Sequence, residues 1–256
     1  MENCILFAPS VRPFHRVPAA LLKKLRRRHP DCRLVLLMTD SIERVAWGNG
    51  CSVQDVLDFM RQFDASFSYD RHDAEKYGCR FVEIPLWHDA NAAAVETEYD
   101  VLFCGHPKQR ETMINAIIER LQSDGRPSFK FIISGNPEKA LSDRVSIQSW
   151  RPYTQLAEEI TKSRCILEIM ADMNTGTTLR YKEAIMYNKK LLTNNPDLPE
   201  LPYYDPRWMK HFGDASDIDI DWLCKDEPVD YGYSGDFSAE RFLSSVETAL
   251  REENLL

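Results

Sequence analysis

The segment from Leu167 to Asn195 constrains the fold more than any other part of the chain. Cys165 to Met170 is a short apolar run, Asn174, Thr175 and Gly176 form a turn, Thr177 to Asn188 has helical composition, and Lys190 to Thr193 opens a further apolar run. Strand, turn, helix and strand in that order call for two parallel strands joined by a crossover helix. The turn delivers a helix N-terminus to the end of a strand, where free backbone N–H groups and the helix dipole favour an anion such as phosphate. Arg180 and Glu183 stand three apart and share a helix face just inside that terminus. A cation for phosphate beside a carboxylate for ribose hydroxyls suits a nucleotide sugar. The plainer reading of the same two residues is a surface ion pair of little energetic worth.

The alternation extends along the whole chain. Cys4–Ala8 reads as a strand, Pro18–Arg28 as a helix with proline at its tolerated first position, and Leu34–Met38 as a second strand. Val53, Val56, Leu57, Met60 and Phe63 recur with a helical period. Strands are expected at Ser66–Tyr69 and Phe81–Leu86 around a short helix, Asp73–Tyr77. Trp87 to Glu98 has no clear period and reads as a linker. Beyond it strands are expected at 100–104, 129–134, 145–148, 165–170 and 190–194, with helices at 108–123, 153–163 and 177–188. Such a pattern argues for an α/β fold with parallel sheets covered on both faces. The expected division is a small first domain, 1–90, and a second domain, 91–256.

Three segments resemble one family in the right order. The first is Gly176-Thr-Thr-Leu-Arg180-Tyr-Lys-Glu183-Ala followed by Lys189-Lys-Leu-Leu-Thr-Asn-Asn195. The second is Ser68-Tyr-Asp70-Arg-His-Asp73-Ala-Glu-Lys-Tyr77-Gly78 followed by Phe81-Val-Glu-Ile-Pro85-Leu, and the third is Tyr99-Asp-Val-Leu-Phe-Cys-Gly105-His-Pro-Lys-Gln-Arg110. Together they resemble the bacterial GT-B glycosyltransferases of lipopolysaccharide, capsular and exopolysaccharide synthesis, over about half of the chain. The resemblance implies two Rossmann-like parallel-sheet domains in a GT-B-like arrangement, with the acceptor side in domain 1–90 and the nucleotide-sugar donor in domain 91–256. It also implies sugar transfer from a nucleotide diphosphate to a saccharide or lipid-linked acceptor. Two other readings stay open: a non-catalytic partner of another transferase, and a GT-B-fold sugar-nucleotide epimerase, which needs no acceptor.

The departing nucleotide diphosphate must be neutralised, and without a metal or cofactor that task falls to fixed cations and helix-end amides. The donor-binding candidates are Gly105, Lys108, Arg110, Tyr153, Gly176, Thr177, Thr178, Arg180 and Glu183. Lys108 and Arg110 stand where the helix dipole disfavours cations, which points to a compensating anion. The segment Trp150-Arg-Pro-Tyr153 occupies the place where such enzymes often hold the base of the nucleotide. An inverting enzyme also needs a group to deprotonate the acceptor. His15, flanked by Arg12 and Arg16, and Asp40 are the catalytic candidates at strand ends of the first domain, with Glu43 a weaker third. Thr175 stands eight before Glu183, where the widespread retaining pattern has a second glutamate, so retention of configuration is disfavoured.

Composition agrees with an enzyme that works in the cytoplasm. The chain has 256 residues, net charge −8 and seven cysteines with no C-x-x-C spacing, which points away from general nucleic-acid binding and towards reduced thiols. No apolar run approaches the roughly 20 residues that span a bilayer, and Ile5-Leu-Phe-Ala is too short for a signal peptide. Lys23, Lys24, Arg26, Arg27 and Arg28 either form a solvated face over a leucine stripe or offer a peripheral contact to an anionic membrane. Asp217, Asp219 and Asp221 alternate, and Asp214–Asp236 reads as a solvated edge strand without metal-binding geometry.

Overall fold

The computed structural model describes residues 4–9, 19–87, 95–107, 109–135, 145–148, 152–170 and 176–256. The chain divides into two compact units, of which the first is the smaller. Among the described residues the first unit holds those up to Trp87, Gly176 and Thr177, and Gly235–Leu256; the second holds the rest.

The first unit is built on four parallel strands, β1 (Cys4–Pro9), β2 (Cys32–Met38), β3 (Ala65–Ser68) and β4 (Arg80–Phe81), adjacent in that order. Helices α1 (Ala19–Arg28), α2 (Ile42–Asn49), α3 (Val53–Met60) and α4 (Arg71–Tyr77) connect them. Helix α2 is absent from the sequence reading, although its ends carry ordinary signals. Ser41 accepts the amide of Arg44 at its start, and Gly50 closes it in the left-handed region with φ 63°. The strand expected at Phe81–Leu86 shrinks to the two residues of β4, and the amide of Leu86 donates instead to the Phe237 carbonyl.

The second unit holds β5 (Tyr99–Gly105), α5 (Glu111–Asp124), β6 (Phe129–Ser134), β7 (Val145–Gln148), α6 (Tyr153–Thr161), β8 (Ser163–Glu168), α7 (Leu179–Met186), β9 (Lys190–Thr193), β10 (Met209–His211) and α8 (Ile220–Cys224). Its six strands run parallel in the order β10-β9-β8-β5-β6-β7. Starting from β5, the chain adds strands to one side and then, at β8, to the other. That reversal between β5 and β8 is the switch point at which open α/β sheets bind ligands, beyond the carboxyl ends of the strands. Two Rossmann-like parallel sheets are therefore present, as the sequence leads one to expect.

Strand alternation sends successive side chains to opposite faces, and both faces are buried. In the second unit Val101, Phe103, Phe131, Ile133, Cys165 and Leu167 join one core with Ile114, Ile117, Ile118 and Leu121 of α5 and Trp222 and Leu223 of α8. The intervening Leu102, Ile132, Ile166 and Leu191 are buried as well, and α6 and α7 lie against β8. In the first unit Leu34, Leu36 and Met38 pack with α1, α2 and α3. The other face, with Val35, Ala65, Phe67 and Val82, is covered by Val246 and Leu250 of α9 (Ala239–Glu252). Helix α9 thus belongs to the first unit, whereas the division at residue 91 assigns it to the second domain. The segment after it is tied down too: Arg33 donates to the Leu255 carbonyl, and Arg80 pairs with Glu253.

The acidic stretch 214–236 forms no strand. Asp214 and Asp217 make a capping box around the 3₁₀ turn Ala215–Asp217, Asp219 caps α8 and pairs with Lys210 at 2.6 Å, and Asp221 pairs with Arg126 at 2.6 Å. Alternating aspartates that read as a strand period are here successive helix starts, which favour Asp for its side-chain acceptor.

If α9 is the cover of the first sheet, Leu250→Ala should lower the stability of the first unit by about 2–5 kcal/mol. Urea denaturation followed by a fluorophore in that unit measures it. A loss below about 0.5 kcal/mol, the scale of an ordinary surface change, would rule out that role.

Candidate functional site

Two strand ends and one helix start assemble the main cluster, in the second unit. Glu168 closes β8 and is fully buried; Thr193 closes β9; Thr178 is the N-cap of α7. The hydroxyls of Thr178 and Thr193 both donate to the Glu168 carboxylate. The Thr178 oxygen in turn accepts the amides of Arg180 at 3.0 Å and Tyr181 at 3.4 Å. A buried carboxylate therefore locks the first turn of α7 to the ends of β8 and β9. Asn194 extends the lock: its side-chain oxygen accepts the amide of Met170 at 2.6 Å.

Arg180 donates to Glu183 along the first turn of α7. Their side chains are 17% and 0% exposed, so this is no surface pair. Burial pushes the Glu183 carboxyl up to about 7; Arg180 and the neighbouring Tyr153 phenol pull it down, and Glu168 pushes it further up. The carboxylate read from its spacing as a partner for ribose hydroxyls has no exposed oxygen. Burial likewise raises the Glu168 carboxyl, against the hydroxyls of Thr178 and Thr193. Tyr153, at the start of α6, has its phenol raised by burial first and by Glu183 second. Tyr153, distant in sequence, is thus brought to the Arg180–Glu183 pair.

Arg110 stands at the switch point. It precedes α5, and its guanidinium donates to the carbonyls of His106 and Ile169, just past the ends of β5 and β8, with Nε 3.4 Å from the Pro107 carbonyl. The compensation expected for a cation at this helix start comes from carbonyl oxygens. Gly105 packs closely here: a Cβ there would stand 3.3 Å from Arg110 Nη2 and 3.2 Å from the Phe103 ring, so either side chain would have to shift slightly. Gly135, at the end of β6, has φ 89°, and a Cβ on it would meet the His106 ring at 2.6 Å. That glycine is a close-approach position as well as a turn.

The remaining candidates lie elsewhere. Gly176, with φ 73°, and Thr177 belong to the first unit; a Cβ on Gly176 would meet Asp70 at 3.5 Å, and the Thr177 hydroxyl is 3.5 Å from Glu83. Asp40 follows β2 and pairs with Arg44 at 3.4 Å. The turn that carries it is tied to α4, because Asp73 accepts the Ile42 amide at 2.9 Å and the Ser68 hydroxyl at 3.1 Å. Glu43 is held by Lys76 at 2.6 Å and Tyr77 at 3.0 Å. His15 and Lys108, with Trp150 and Arg151, lie outside the described residues. On α1, Lys23, Lys24, Arg26, Arg27 and Arg28 are exposed around buried Leu22, and Arg26 pairs with Asp64 at 2.7 Å.

Glu168, Thr193 and Asn194 are absent from the sequence-based site. Glu168 ends an apolar run, and a carboxylate in that place signals either a strand end at the surface or a buried polar anchor. Thr193 and Asn194 lie in the Lys189–Asn195 segment, whose polar end following an apolar strand was the available signal. Among the described residues no cluster of three or more His, Cys, Asp or Glu side chains is arranged to hold a metal, and no helix is long and apolar enough to cross a membrane.

No protein-family model matches the chain, and no curated protein matches its sequence. Solved structures do match its fold. A protein from Listeria monocytogenes assigned as a UDP-N-acetylglucosamine 2-epimerase is 12% identical, covers 97% of this chain and 74% of its own, and superposes with a TM-score of 0.51. The N-terminal domain of Candida albicans trehalose-6-phosphate phosphatase is 13% identical over 87% of this chain and 63% of its own, with a TM-score of 0.53. A DNA-modifying β-glucosyltransferase solved with and without uridine diphosphoglucose gives a lower TM-score, 0.47, at 12% identity over 99% of this chain and 97% of its own. At these identities the likeness is one of fold.

Ionised Glu183 costs stability in the folded state, because its folded pKa is raised from 4.5 to about 7. The sign follows by linkage. The penalty is absent below the unfolded value, grows as pH rises from about 4.5 to about 7, and is complete above that. Glu183→Gln should flatten the fall in stability between about pH 5 and about pH 7, read from urea midpoints. An equally steep fall in the variant would remove Glu183 as its source.

Proposed function

We propose that this protein is a metal-independent glycosyltransferase, moving a sugar from a nucleotide-diphosphate sugar to a saccharide or lipid-linked acceptor in cell-surface polysaccharide synthesis. The observation that carries the reading is the start of α7 at the carboxyl end of β8. Its first turn bears Arg180, and the Glu168–Thr178–Thr193 lock holds that turn fixed. A fixed cation with helix-end amides is what the charge developing on a departing diphosphate requires. Arg180 and the α7 start take the diphosphate, with Gly105, Lys108 and Arg110 contributing from the loop after β5. Glu183 sets the guanidinium of Arg180, and Tyr153 flanks that pair. The first unit supplies the acceptor side, with His15 or Asp40 as the base. The three motif segments and the Rossmann order of the second sheet support the reading.

Arg180→Ala should weaken nucleotide diphosphate binding by about 1.5–3 kcal/mol, the worth of a charge-assisted hydrogen bond. Calorimetric titration measures it, and unchanged affinity in a folded variant would sink the donor assignment. Chelator should leave sugar transfer intact; activity lost on chelation and restored by magnesium or manganese would refute the metal-independent mechanism. Turnover of the nucleotide sugar to its epimer with no acceptor present would favour the epimerase reading instead.

His15→Ala should reduce transfer by roughly 10²–10⁴-fold with donor binding nearly unchanged. Transfer at the parent rate would shift the base to Asp40.

A further inference from the structure

The buried end of β8 holds two carboxylates and one cation. Glu168 and Glu183 are 2% and 0% exposed, and Arg180 is the guanidinium that both of them face. Glu168 has two threonine hydroxyls and the amide of Tyr181 to spread its charge. Glu183 has Arg180 on its own helix and the Tyr153 phenol from α6. Its remaining charged neighbour is Glu168 on β8, which repels it. The ionised state of Glu183 therefore depends on one ion pair. Anything that draws the Arg180 guanidinium away leaves a carboxylate in the interior without a counter-charge, and a group so placed takes a proton rather than stay ionised.

We propose that binding of the donor diphosphate is coupled to proton uptake by Glu183, because the incoming phosphate oxygens take Arg180 from it. This rests on the donor reading above and adds its regulation. In the free protein Arg180 donates to Glu183. In the complex it donates to the diphosphate, and Glu183 accepts a proton from solvent and becomes a neutral carboxylic acid beside Tyr153. The added charge near the α7 start is then that of the diphosphate plus one proton. Glu183 is ionised over an appreciable fraction of molecules near neutrality, since its carboxyl titrates at about 7 in the free protein. Donor affinity consequently falls as the medium becomes more alkaline, by up to about tenfold per pH unit once free Glu183 is fully ionised.

The test is calorimetric titration with UDP-glucose and, separately, GDP-mannose. Both are diphosphate diesters with no group titrating between about pH 6.5 and about pH 8.5, so protons taken up come from the protein. Repeating the titration in buffers of different ionisation enthalpy counts them. The expected result is net uptake of a fraction of a proton at about pH 7, rising towards one at about pH 8.5, with affinity falling over the same range. Glu183→Gln, which cannot take up a proton, should show uptake near zero and a flat affinity profile. Binding with no uptake by the unaltered protein overturns the inference and leaves the donor reading standing. Uptake undiminished in folded Glu183→Gln overturns the assignment to Glu183. If neither nucleotide sugar binds, the donor reading falls and the coupling falls with it.

Discussion

A parallel sheet has no face that tolerates water, and the arrangement of this chain follows from that constraint. Crossover helices bury most of the second sheet with segments that lie close to its strands in sequence, and α8 completes the cover over β5. The first sheet lacks that economy. Helices α1, α2 and α3 serve the face carrying Leu34, Leu36 and Met38, while the face carrying Val35 and Phe67 waits for Val246 and Leu250. Burying an aliphatic side chain of this size is worth about 1.5–3 kcal/mol, so the cover contributes a substantial share of a domain's net stability. Arg33 and Arg80 then fasten the end of the cover by hydrogen bond and ion pair.

The second unit places charge inside the same kind of core. Glu168 at the end of β8 is desolvated, and two threonine hydroxyls offset part of that cost. The gain is geometric. Thr178 cannot leave its N-cap position without abandoning Glu168, so the first turn of α7 holds its direction. Arg180 is carried on that turn. The fixed turn thus gives Arg180 a defined origin, whichever partner its side chain takes.

Much of this was legible in the sequence. The βαβ segment 165–195 announces itself through an apolar run, a Gly/Thr turn and a helix, and the structure has β8, α7 and β9 there. Tyr153 and Arg180 could be named from their places beside predicted strands. Other features were hidden for physical reasons. A period of two in Asp217, Asp219 and Asp221 suits a strand, yet each acid is satisfied locally by a helix start or an ion pair. Helix α9 has its own apolar period in Phe242, Val246, Ala249 and Leu250, but nothing local says that its partner is β2. The burial of Glu168 was equally invisible, because the hydroxyls that make it tolerable come from Thr178 and Thr193, 10 and 25 residues further on.

Helix α9 also sets a timetable for the chain as it is made. β4 is complete at Phe81, whereas Val246 follows well over a hundred residues later. At ordinary elongation rates the ribosome takes about 10–30 s to cover that interval. Throughout it, a finished four-stranded sheet shows Val35, Phe67 and Val82 to the cell with no cover of its own. The residues of the second unit emerge in the meantime and have all their own sheet partners before the first unit has its last helix. Of the two units, the one whose strands are made first is therefore completed last, and for those seconds its bare apolar sheet face is open to a chaperone.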